Sequence, residues 1–187
     1  MMISSDILNP VIRSAFTKQV TWLEAANRFS LDELIETFYD TRERTHERLQ
    51  GLSDKHVDFS SDVHSFWSIS ESITHLIYTQ GFYHNKLLDL SATQIPHIVE
   101  AAKGFGEGAK AHETFKSLRV ALDAATERIQ LVIEHTRQDH DPERTEIHSL
   151  FGACNYKTWI LLLLAHEMDH LRQIAAMRTL AKTSPGE

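Results

Sequence analysis

Apolar positions recur at steps of three and four residues in four long segments of the chain, the period of an amphipathic α-helix. The first clear stripe is Leu31, Leu34, Phe38, Thr41, Thr45 and Leu49. Arg42, Glu43, Arg44, Glu47 and Arg48 fall largely outside it, as on a solvated face. Ser30 followed by Glu33 forms a capping box, and Gly51 suits a C-cap, so the pattern predicts a helix from about Ser30 to Leu49. Ser68 and Glu71 repeat that start signal before Ile69, Ile73, Leu76, Ile77 and Phe82, which predicts a second helix running to about Leu90. Phe115, Leu118, Leu122, Ala125, Ile129 and Val132 mark a third, from about Glu113 to Arg137. The fourth starts near Asn155 or Tyr156 and continues to about Leu180.

Between these segments the periodicity fails. Residues 51–66, 91–111 and 139–148 read as loops. The run Gly104–Gly108 follows no strand and has neither dinucleotide-binding nor P-loop spacing, so it reads as a connector. Residues 1–28 carry a weaker signal, with Pro10 suited to a first helical turn and Val11, Ala15, Val20 and Leu23 at amphipathic spacing. Residues 183–187 read as a frayed tail. No strand pattern is visible. The expectation is an all-α four-helix bundle, one domain over residues 1–187, with a core at about 30–182 and an N-terminal extension at 1–28.

Composition narrows the classes of function. At 42% hydrophobic and 24% charged, the 187 residues have the balance of an ordinary globular protein. A formal charge of −7 with no Lys/Arg run longer than a pair lacks the phosphate-binding footprint of a nucleic-acid partner. The longest apolar run, Trp159–Ala165, is seven residues and too short to span a bilayer. The single cysteine, Cys154, forms no internal disulfide, and the start shows no signal pattern, so a cytoplasmic location is expected. Cys154 itself reads as an inert buried thiol.

Chemistry concentrates in WILLLLAHEMDHLR, Trp159–Arg172. His166 and His170 are four residues apart, so both imidazoles leave one helix face about 40° apart. The apolar run before them marks that face as buried, and buried imidazoles need partners. His75, inside the second predicted helix, supplies a third nitrogen. Three neutral imidazoles suit zinc, nickel, iron or copper and leave a coordination position open to water or substrate. HEMDH is also an HExxH motif, but Ala176 stands where one protease class needs a third histidine. The sole downstream glutamate is the terminal Glu187. Glu167 lies about 80° off the centre of the histidine face, a poor place for a general base.

Glu71, Tyr78 and Glu167 remain the candidate catalytic side chains, with Ser72, Thr79 and Gln173 also a turn from a histidine. Glu71 has the plainer alternative of capping its helix. His84 points about half a turn away from His75, and His46 is a reserve ligand. His64, His97, His112, His135, His140 and His148 fall in loops or near helix ends and read as solvated.

These residues also carry a family resemblance. WSISESITHL, with Trp67, Ser68, Glu71 and His75, resembles the second-helix signature of the DinB/YfiT-like metal-binding superfamily. FGACNYKTWILLLLAHEMDHLRQI, with Phe151, Gly152, His166, His170, Gln173 and Ile174, resembles its last-helix signature. The two occur in the family's order over about residues 30–182. The resemblance implies a four-helix bundle, often a homodimer, with a zinc or nickel site on the positions of His75, His166 and His170. Members include thiol S-transferases using low-molecular-weight thiols, metal-dependent isomerases and hydrolases. A metal-dependent enzyme acting on a small molecule is therefore expected, its electrophilic substrate attacked by an activated thiol or water. The alternative is a non-enzymatic metal-binding bundle for stress sensing or interaction.

Overall fold

The structure is a computed structural model, and it describes residues 2–60, 67–97 and 114–183. In chain order the elements are helices α1 (Ser5–Phe16), α2 (Trp22–Ala26), α3 (Leu31–Arg48), α4 (Asp54–Val57), α5 (Ile69–Asp89) and α6 (Phe115–Asp139). The hairpin strands β1 (Glu146–His148) and β2 (Gly152–Cys154) and the helix α7 (Tyr156–Thr183) follow. The glycine-rich run, His64 and His112 lie outside the described residues.

Capping chemistry sets the helix starts. Ser30 Oγ accepts from the Glu33 amide at 3.2 Å while the Glu33 carboxylate accepts from the Ser30 amide at 2.9 Å. Ser68 and Glu71 form the same reciprocal pair at 3.1 and 2.7 Å. Asn155 Oδ1 accepts from the Thr158 amide and starts α7. Gly51, at φ 70°, takes the left-handed conformation after α3.

The four long helices, α3, α5, α6 and α7, form the bundle. α7 packs against α3 on one side and α5 on the other, and α6 packs on α5. That central place explains why every residue from Trp159 to Ala165 is buried, since a helix that is apolar all round must have neighbours all round. Burying one such leucine stabilises the fold by roughly 1.5–3 kcal/mol. Polar bonds close the α3–α6 side, among them Arg137 to Asp32 at 2.7 Å and Arg42 to Thr126 at 3.0 Å.

Several expectations need correction. Arg42 is not on a solvated face but is 2% exposed, because α6 and α7 converge over that side of α3. Pro10 lies in the interior of α1 rather than in its first turn. Residues 51–66 include the short helix α4, whose Asp54 carboxylate accepts from the Phe115 amide at 2.6 Å and so caps α6. Two three-residue strands pair antiparallel where no strand was expected, Ile147 facing Ala153 in register. Strands that short contain too few positions for alternation to show in a sequence. Thr183 belongs to α7 rather than to the tail, and residues 184–187 lie outside the described residues.

The N-terminal extension is docked on the bundle. Leu8, Val11 and Ala15 of α1 are buried, the Ile3 amide donates to Thr37 Oγ1 at 2.9 Å, and Arg172 donates to Asn9 Oδ1. The Phe16 ring meets Trp22 edge-on at 4.9 Å.

Candidate metal centre

Helix geometry brings His166 and His170 to one side of α7, and the α5–α7 packing places His75 opposite them. The ligand atoms of the three imidazoles all lie within 4.8 Å of one another. Nε2 of His75 and Nε2 of His166 are 3.1 Å apart. The three ring centroids are separated by 4.6 to 5.1 Å.

The surroundings keep these rings neutral. Burial, reinforced by the neighbouring imidazoles, pushes His166 down to about 2 and His75 down to about 4. Burial also lowers His170, against the pull of the Asp169 and Glu167 carboxylates. A neutral imidazole offers a lone pair, which a protonated one lacks. Nδ1 of His170 is buried with no hydrogen-bond partner. Three converging neutral nitrogens, two of them an i,i+4 pair, fit the donor set of a divalent transition metal.

Aromatic rings frame the cluster. The Trp67 indole stacks on His170 at 5.8 Å and 16° and meets His75 edge-on at 4.8 Å. On the other side the Tyr83 ring lies 6.0 Å from His166, its hydroxyl donating to the Leu162 carbonyl at 3.5 Å. Periodicity gave no hint of Tyr83, although its place two helical turns beyond His75 on α5 is a usable signal.

The candidate catalytic side chains separate. Both Glu167 oxygens are engaged, one by Arg42 at 2.8 Å and the other by the Thr45 hydroxyl at 2.7 Å. Its side chain is fully buried on the α3 side of α7. Glu71 is exposed and holds the Ser68 amide as a cap. The Tyr78 hydroxyl is buried with no partner, as is Ser72 Oγ. The Thr79 hydroxyl donates to the His75 carbonyl at 2.7 Å, and Gln173 donates to Asp169 at 2.9 Å.

The other described histidines lie elsewhere. His46, the reserve ligand, pairs with Asp123 at 3.3 Å between α3 and α6. His84 is buried and faces the Pro96 carbonyl at 3.3 Å. His148 and His140 are half-buried rather than solvated, because each stacks on an aromatic ring, Phe151 at 4.9 Å and Tyr156 at 4.3 Å. Cys154 is buried, and burial pushes its thiol up to about 12, which keeps it protonated and unreactive.

Fold and site together define a helical bundle with a three-histidine cluster compatible with metal binding. The DinB superfamily matches over residues 37–174, and the chain belongs to that superfamily. No curated protein and no solved structure matches the chain. No helix among the described residues is long and apolar enough to cross a membrane.

Proposed function

We propose that the chain is a metal-dependent enzyme in which His75, His166 and His170 hold a divalent ion, zinc or nickel. Its reaction is attack by a small thiol or water on a small electrophile. The observation that supports this most is the convergence of three neutral imidazoles from two helices within 4.8 Å. A divalent ion bound there supplies Lewis acidity that draws the pKa of water or a thiol towards neutrality. Three protein donors are one fewer than a closed structural zinc site uses, which leaves room for a reactant.

The chain's own residues prepare the place. Trp67 covers His75 and His170 and limits water from that side, while Tyr83 and Leu162 make the flank of His166 apolar. Low polarity strengthens whatever electrostatic contact a bound reactant makes. Glu167 takes no part as a base, because Arg42 and Thr45 occupy its oxygens.

The experiment is a screen of zinc- and nickel-loaded protein. Cysteine, glutathione and coenzyme A are each paired with 1-chloro-2,4-dinitrobenzene, and p-nitrophenyl esters report hydrolysis. Turnover that requires the metal and vanishes in His166→Ala is expected. A folded, metal-loaded protein silent in both arms contradicts the enzymatic reading and favours a metal-dependent binding or sensing bundle.

A further inference from the structure

A cavity of about 640 Å³ lies between α1 and α7, and the His166 side chain forms part of its wall. That volume is within the range of about 300–1,000 Å³ typical of small-molecule sites. α1 falls outside the stretch that the superfamily matches, residues 37–174. This wall is therefore supplied by residues that precede the matched stretch. Ile12 and Phe16 of α1, Leu162 of α7 and Phe151 supply apolar lining to the space.

Charge at the cavity is unbalanced. Arg13 and Arg172 contribute two guanidiniums against the single carboxylate of Asp169. Asp169 already accepts from Gln173, and Arg172 is held by the neutral amide of Asn9. The Arg13 side chain has no ion pair or hydrogen bond among the described residues. In a chain of net charge −7, such a local positive excess is what would draw and orient an anion.

We propose that this cavity binds an amphipathic organic anion, with an apolar or aromatic body between Phe16 and Leu162 and a carboxylate on the Arg13 guanidinium. The planar fork of arginine matches a carboxylate. The far end of the molecule then lies towards His166. Naming that anion the electrophilic substrate rests on the enzymatic reading above, whereas the binding itself does not.

Calorimetric titration of the full chain with 4-phenylbutyrate, 4-phenylbutyramide and 4-phenylbutylamine tests it, with zinc-loaded and chelator-treated protein run in parallel. The carboxylate should bind about tenfold more tightly than the amide, the yield of one good charge-assisted contact, and the amine should bind most weakly. Arg13→Ala, a change at an exposed side chain, should remove that preference and leave the amide's affinity unchanged. The His166 ring signals in a ¹H–¹³C correlation spectrum should shift on titration with the carboxylate. Equal affinities for the three probes, a preference that survives Arg13→Ala, or unmoved His166 signals would each overturn the proposal. Arg13-dependent binding without turnover in the thiol and ester screen supports the cavity and sinks only the enzymatic reading.

Discussion

Within one turn of α7 the bundle contains two polar clusters of opposite character. Glu167 faces α3, where Arg42 and Thr45 take both carboxylate oxygens and Thr126 takes another guanidinium donor. His166 and His170 face α5, where they meet each other and His75, and where His170 Nδ1 is buried with no hydrogen-bond partner. Both clusters are costly to desolvate. In the first, both carboxylate oxygens and two of the guanidinium nitrogens find partners within the chain, although Arg42 Nε does not, and the cluster behaves as structure. The second brings three neutral imidazoles to one place, an arrangement compatible with a divalent cation.

That contrast can be broken from the structural side first. Arg42→Met leaves the Glu167 carboxylate buried beside a single hydroxyl, and should lower unfolding free energy by about 3–5 kcal/mol in urea titrations. Metal binding by the folded fraction should be unchanged. Thr45→Val removes one hydrogen bond to the same carboxylate at nearly constant shape, and should lower stability by about 1.5–3 kcal/mol. If either variant instead abolished metal uptake in folded protein, the two clusters would be one.

The smallest effect sharpens the other side. His75 and His166 titrate near 6.5 when unfolded and lower when folded, to about 4 and about 2. Below pH 6.5 the unfolded chain therefore binds more protons, and stability falls as pH drops. Metal-free protein should lose melting temperature steadily from pH 6.5 to 4, and His75→Gln should flatten that slope. A melting temperature constant over this window would show that the rings are not held neutral.

The sequence exposed one side of this comparison more clearly than the other. Ser30 with Glu33 and Ser68 with Glu71 marked two helix starts because a capping box is local chemistry. The 3.6-residue period revealed the buried faces of α3 and α6 for the same reason. His166 and His170 were legible from their spacing, and His75 from its place on an apolar face. Arg42 was misplaced because burial of a guanidinium depends on Glu167, 125 residues away, which no local pattern encodes. The hairpin and α4 were too short for any period to register. The α1 wall of the cavity depends on how residues 1–28 dock, information spread over Thr37, Asn9 and Arg172.

The central claim is tested most directly by elemental analysis of protein purified without chelator, alongside His166→Ala confirmed as folded by circular dichroism. About one zinc or nickel per chain in the wild type, lost in the variant, is the predicted result. A folded wild type that takes up neither ion on dialysis, or a variant that keeps the full equivalent, would contradict it.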